Sequence, residues 1–369
     1  MEHAESSTFG GQGPEYYLFE RYLNRPRPRS LHLYYRLKPL LPRAVQLSFR
    51  RRYARRQAKT AFPSWPAERI LLDLRDQDLR QRLREHGAAR LPLVSYWPHE
   101  RRFAFILTHD VEGQAGIENI PRVLEIERRH GFASSWNFCA EWYPIPEGLF
   151  AALARAGCEV ALHGLTHDGL LFRDRASFEA SLPKLQRYMR EWGACGFRSP
   201  GLHRNADCMA ELDCLYDSSF PDTDPFGPQP GGCCSIFPFF IGELVELPIT
   251  LVQDHTLFEI LREQSVRRWV EKSEWLIENN GLINLLVHPD YLLTQERLDL
   301  YDEILGFLAA QRDGWHTLPR EVARWWKDRA QLECRGDAKG GAHIAGAEAA
   351  AAAASVVWAR EVDGRIAIE

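Results

Sequence analysis

Five glycines, Gly131, Gly157, Gly193, Gly281 and Gly314, each stand just before a short apolar run, where the glycine that ends a helix belongs. Together they punctuate a chain that alternates between helix-like and strand-like units. The strands are predicted at 103–109, 133–138, 158–162, 194–198, 244–251, 282–287 and 315–318. Helices are predicted near 118–130, 147–156, 176–192, 265–280 and 296–312. Alternation of this kind gives an α/β architecture of parallel strands with helices between them. Seven strands suit a distorted or incomplete (β/α) barrel over residues 101–330, with an open doubly wound sheet as the alternative.

The flanks read differently. Residues 1–15 are polar and Gly-rich and are expected to be disordered. Residues 16–100 form a basic, partly helical N-terminal segment, with a helix expected from Asp76 to His86 and an apolar run from Leu91 to Trp97. The Ala-rich tail, 331–369, contains Ala349 to Ala354 and then a predicted β-hairpin, Val356 to Ile368, turning at Asp363-Gly364. An isolated hairpin is marginal in water, so this one must dock to be ordered.

The formal net charge of −4 conceals an asymmetry. Between Arg21 and Ala67 there are thirteen Lys or Arg and no Asp or Glu, which leaves −17 on the remainder of the chain. Leu31, Leu33, Tyr35 and Leu37 make this stretch amphipathic, and Pro39 and Pro42 break any helix in it. An anionic membrane surface or an anionic glycan fits residues 21–67 as a partner, and so does the acidic body of the chain itself. Nucleic acid is not expected, because no nucleic-acid-binding motif accompanies the charge. No stretch approaches the roughly 18 apolar residues of a membrane span, and the N-terminus lacks a basic-then-apolar signal pattern. The expectation is a cytoplasmic protein, peripheral at the inner membrane face if the basic stretch docks there. Eight cysteines with no C-x-x-C then read as reduced thiols.

The chemistry sits at the ends of the predicted strands. The first apolar run ends in Thr108-His-Asp110-Val-Glu112, and alternation along a strand puts Asp110 and Glu112 on one side with His109 and Val111 on the other. The third run ends in His163-Gly-Leu-Thr-His167. Two neutral imidazoles and one carboxylate can hold a divalent cation with an open position for water, and a second carboxylate can take a proton. Arg198, in Arg198-Ser-Pro200-Gly201, follows another strand and can keep a buried carboxylate ionised. His288 ends the most apolar strand, Leu285-Leu-Val-His288, where it can act as a general acid. Asp222 or Asp254 can orient His288, and Trp136 and Trp142 can stack on a sugar ring or fill the core.

These motifs, in this order and spacing, resemble the polysaccharide deacetylase superfamily, the NodB-homology carbohydrate esterases. The resemblance covers residues 103–325. It implies a distorted (β/α) barrel, a divalent metal ion (zinc, with cobalt or nickel as substitutes), and hydrolytic removal of N-acetyl groups from a sugar, polysaccharide or lipid-linked precursor. By this resemblance Asp110 is the catalytic base, Arg198 its orienting partner and His288 the acid. His163 and His167 are metal ligands, and Pro200, Trp136 and Asp254 complete the substrate-binding set. The usual motif has two consecutive aspartates, the second a metal ligand. Here Val111 occupies that place, so the metal passes to Glu112, or else Asp110 is the ligand and Glu112 the base. Two further readings remain: an allantoinase-like hydrolase of a small cyclic amide, and a glycan-binding barrel without activity.

Overall fold

A computed structural model of the protein describes residues 12–23, 51–54, 56, 57, 59, 61–336 and 341–369. After a short strand β1 (Leu91–Val94) comes the run Phe103-Ala-Phe-Ile-Leu-Thr-His-Asp-Val111. It lacks the alternation of a half-exposed strand, and all nine residues are buried in the central strand β2 (Phe103–Val111). Around it a strongly curled sheet follows, with β3 (Ser135–Phe138), β4 (Glu159–Leu162), β5 (Gly196–Phe197), β6 (Tyr216–Asp217), β7 (Phe239–Ile241), β8 (Leu244–Glu246), β9 (Leu282–Val287) and β10 (Gly314–His316). The strands run in the order β10-β2-β3-β4-β5-β6-β8-β7, and β9 lies on the other side of β2. All pairings are parallel except that of β7 with β8. Between β8 and β9 only isolated bonds span the gap, such as Thr250 Oγ1 accepting from the Asn284 N–H at 2.9 Å. The barrel is therefore distorted and open, as the sequence predicts.

The five predicted helices are present at Gln114–Arg129, Leu149–Arg155, Arg175–Trp192, Arg267–Glu278 and Gln295–Ala309. Their apolar faces pack on the outer side of the sheet, where Ile117, Ile120, Val123, Leu276, Ile304 and Leu305 join Phe103, Phe105 and Leu107 in the largest core cluster. A further helix, Pro319–Arg329, was not anticipated; it starts with proline at its first position and buries Val322, Ala323 and Trp325. The glycines divide into two kinds. Gly131, Gly157 and Gly193 have φ of 72°, 80° and 62°, the left-handed turn expected after a helix. Gly281 and Gly314 are instead sites of close approach, where an added Cβ would lie 2.9 Å from Ile236 and 2.6 Å from the Phe103 ring.

The tail hairpin docks. Strands β11 (Glu333–Gly336) and β12 (Ala342–Ala345) pair with each other. β13 (Val356–Val362) and β14 (Arg365–Ile368) turn at Asp363-Gly364, both at positive φ, and β13 pairs antiparallel with β1. The three strands cover the helix Ile70–Glu85, which joins Leu79 and Leu83 to Leu91, Ala359 and Ile366.

Of the stretch 1–15, residues 12–15 are described and lead into a helical turn, Pro14–Leu18; residues 1–11 lie outside the described residues. Most of the basic stretch 21–67 also lies outside them. Where it is described, Arg51 packs on the chain's own body, donating from Nε to the Glu259 carbonyl at 2.7 Å. All eight cysteines are free thiols. No helix among the described residues is long and apolar enough to cross a membrane.

Candidate active site

The parallel strands bring their C-terminal ends to one rim. Asp110 is the penultimate residue of β2 and Glu112 follows its end; His163 follows β4, Arg198 follows β5 and His288 follows β9. Strand parity decides what each side chain meets. Thr108 and Asp110 point into the barrel, toward Arg198, whereas His109 points outward to Glu127 of the helix Gln114–Arg129 at 2.6 Å. Turning the chain from His163 to His167 requires Gly164, at φ 71°, because a Cβ there would lie 2.9 Å from Pro200 Cγ.

Asp110 is 2% exposed. Its Oδ1 accepts from Asn137 Nδ2 at 2.7 Å and from Arg198 Nη1 at 3.4 Å. Its Oδ2 faces His163 Nε2 at 3.8 Å and His288 Nε2 at 4.0 Å. Burial alone would raise the Asp110 pKa, but the charge of Arg198, helped by the nearby imidazoles and Asn137, holds it below the ordinary value. Arg198 is fixed in turn by donating Nη2 to Thr108 Oγ1 at 3.2 Å and to Ser218 Oγ at 3.0 Å.

Glu112, His163 and His167 form the second half of the site. One ligating atom from each lies within 4.8 Å of the other two. His163 donates from Nδ1 to the Arg198 carbonyl at 3.0 Å, which directs the lone pair of Nε2 into the site. That Nε2 is buried and has no hydrogen-bond partner. Burial pushes the His163 pKa down to about 4, so the ring is neutral and able to ligate. His167 Nε2 lies 3.0 Å from Glu112 Oε1. Burial opposes a charge on His167, yet the Glu112 carboxylate beside it prevails and raises its pKa, and the same contact overcomes burial to hold Glu112 well below the ordinary carboxylate value. An orphaned imidazole nitrogen beside a carboxylate and a second imidazole is a donor set that suits a divalent cation.

His288 donates from Nδ1 to Asp254 Oδ1 at 2.6 Å, and its backbone N–H donates to Asp254 Oδ2 at 2.8 Å. Nε2 is left facing Glu112 Oε1 at 3.7 Å and Asp110 Oδ2. Burial alone would lower its pKa; the Asp254 carboxylate, with Glu112 and Asp110 behind it, raises it to about 10.

Asp110, Glu112, His163, His167, Arg198 and His288 thus meet. The three residues expected to touch substrate do not face an open cleft. Asp254 is fully buried, and its carboxylate is occupied by His288 and by the His255 backbone N–H, so it orients His288. Asp222, the other acid considered for that task, pairs with Lys272 Nζ at 2.6 Å. Trp136 is the register partner of His109 and shares its outward face, its ring stacked at 4.1 Å on the imidazole beneath the helix Gln114–Arg129. Pro200 is buried against Gly164, where it shapes the turn that carries the two histidines. Trp142, by contrast, is 49% exposed.

Three contributors went unread in the sequence. Asn137 is the register partner of Asp110 on β3 and shares its inward face, which only the pairing of β2 with β3 makes visible. Asp290 accepts the Glu112 backbone N–H at 2.9 Å, and Tyr291 donates its hydroxyl to Glu112 Oε2 at 2.9 Å. No spacing rule pointed to either.

No protein-family model matches the sequence, and no curated protein matches it. Solved structures do share the fold. PuuE allantoinase superposes with a TM-score of 0.51 at 14% identity, over 64% of this chain and 94% of that one. A probable polysaccharide deacetylase from Pseudomonas aeruginosa PAO1 superposes with a TM-score of 0.50 at 14% identity, over 63% of this chain and 94% of that one. The chain shares the open (β/α) barrel fold of these two structures.

Proposed function

We propose that the protein is a metal-dependent hydrolase that removes N-acetyl groups from a sugar or glycan precursor. The observation that carries this reading is the convergence of Glu112, His163 and His167 within 4.8 Å beside an ionised, buried Asp110. A divalent cation held there, zinc by preference and cobalt or nickel as substitutes, supplies Lewis acidity toward an amide carbonyl and toward water. Asp110 is the base. Asn137 and Arg198 occupy its Oδ1, so Oδ2 is the oxygen able to take a proton from the attacking water. His288, protonated and held by Asp254, is placed to give its Nε2 proton to the departing amine as the C–N bond breaks. Acetate and a free amino sugar are the products. Because Glu112 reaches both histidines despite Val111, the geometry favours an active enzyme over an inactive glycan-binding barrel.

A second reading keeps the same residues and changes the substrate to a small cyclic amide. Two observations favour it: the allantoinase is among the structures that share the fold, and Asp110, His163 and His288 are all but closed off from solvent. One experiment separates the two. Metal-loaded protein is offered N-acetylated chito-oligosaccharides and a cyclic ureide in parallel, and acetate and ring opening are both measured. Acetate release that disappears in Asp110→Asn supports the deacetylase; ring opening alone assigns the site to a cyclic amide.

A further inference from the structure

Glu112 lies one residue beyond the end of β2, where no ladder fixes it, and its carboxylate rides on one more rotatable bond than that of Asp110. A free carboxylate of this kind must lose side-chain entropy before it can ligate. Two residues of the loop after β9 remove that freedom. Asp290 accepts the Glu112 backbone N–H at Oδ2 (2.9 Å) and the Gly116 N–H at Oδ1 (3.1 Å). Tyr291 donates its hydroxyl to Glu112 Oε2 (2.9 Å), which leaves Oε1 toward His167 (3.0 Å).

The fit is tight on every side. A Cβ at Gly116 would lie 2.1 Å from Asp290 Oδ2, and one at Gly113 would lie 3.3 Å from Oδ1, so both glycines admit the Asp290 carboxylate. The Tyr291 ring is wedged between the His288 and His255 rings, with centroids 5.2 and 5.1 Å away. His255 opens a π-helical turn, His255–Ile260, directly after the Asp254 that holds His288. Residues 288–291 therefore carry the proposed acid and fix the proposed ligand on one loop.

We propose that Asp290 and Tyr291 are positioning residues of the metal centre: they clamp Glu112 so that one carboxylate oxygen meets a divalent cation together with His163 and His167. This rests on the metal-dependent reading above. The two Glu112 oxygens have separate tasks, Oε2 accepting the Tyr291 hydroxyl and Oε1 facing the histidines. Partners of this kind, which orient a ligand without touching the ion, are worth about tenfold to a hundredfold in metal affinity.

The test is Zn2+ binding to the metal-stripped full chain, read by competition with a chromophoric chelator, with thermal melting of the metal-free protein alongside. Tyr291→Phe keeps the ring between the two imidazoles and removes only the hydroxyl. It is expected to weaken Zn2+ binding by about tenfold or more while the metal-free melting temperature holds. Asp290→Asn, which sets an amide against the two backbone N–H groups, is expected to weaken it as well, and it decides the matter should Tyr291→Phe not fold. Zn2+ binding at the parent affinity by either folded variant overturns the clamp. Failure of the parent protein to bind Zn2+, or full affinity in Glu112→Gln, overturns the metal-centre reading instead, so the two failures are told apart.

Discussion

A carboxylate buried as deeply as Asp110 stays ionised because a guanidinium lies beside it, and the imidazole of His288 stays protonated because Asp254 lies beside it. In the proposed hydrolase the two pairs would set opposite limbs of a pH–rate profile. Replacing Arg198 with Met removes the cation that favours the charged form of Asp110, so its pKa rises and the acidic limb moves to higher pH. Replacing Asp254 with Asn removes the anion that favours imidazolium, so the His288 pKa falls from about 10 and the alkaline limb moves to lower pH. Profiles of kcat/KM whose limbs stay in place in both variants would refute these assignments. The same shifts bear on stability. The depressed pKa of Asp110 contributes stability above its ordinary value of 3.8 that is lost as pH falls through the folded value. The raised pKa of His288 contributes stability that is full below 6.5 and is lost as pH rises through about 10. Asp110→Asn itself should lower kcat by about 10²–10⁴, the range general bases supply. Strand alternation made Asp110, Glu112 and the outward His109 legible in the sequence. The same parity, applied to β3, places Trp136 outward and Asn137 inward; without the pairing of β2 with β3, neither assignment was available.

At the scale of elements, long apolar runs and amphipathic helices were the legible part, because burial on one face or two leaves a period in the sequence. Within the barrel sheet, the missed strands are those with no period to read. β6 is two residues long, and β7 is three residues on an antiparallel edge, so neither holds enough side chains to form a pattern. Arg198 lies beyond another two-residue strand, β5, which falls inside the strand predicted at 194–198, so strand and motif pointed to the same residue. The tail shows the reverse: Asp363-Gly364 gave the hairpin, and tertiary packing supplied its partner, β1. Leu79 is the joint of that packing, 3% exposed in the cluster with Leu83, Leu91, Ala359 and Ile366. Leu79→Ala is expected to cost about 2–5 kcal/mol in urea unfolding, as cavity-forming substitutions do, with kcat unchanged because the cluster contains no site residue. A loss within about 0.5 kcal/mol, the range of surface substitutions, would mean that the hairpin does not seal this face.

For the molecule as a whole, the N-terminal region packs on the barrel's loops through Glu20, Tyr22 and Arg51. Glu20 forms a buried two-point ion pair with Arg204, whose Nε lies 2.6 Å from Glu20 Oε2, and Tyr22 donates its hydroxyl to the Gly232 carbonyl at 2.6 Å. Glu20→Gln would leave the Arg204 guanidinium buried without a counter-charge, which costs about 3–5 kcal/mol where such pairs have been broken; chemical denaturation measures it. The sequence offered the basic stretch only as a charge in search of a partner, since net charge says nothing about which surface it meets. In the proposed centre, one acid from the end of the first barrel strand and two imidazoles from the third hold a divalent cation beside Asp110. Anomalous scattering at the zinc edge, from a crystal soaked in Zn2+, tests it most directly. One strong peak is expected within about 2.0–2.2 Å of Glu112, His163 Nε2 and His167 Nε2, the usual zinc–ligand distances. A fully active crystal with no peak there, or with its peak elsewhere, would contradict it.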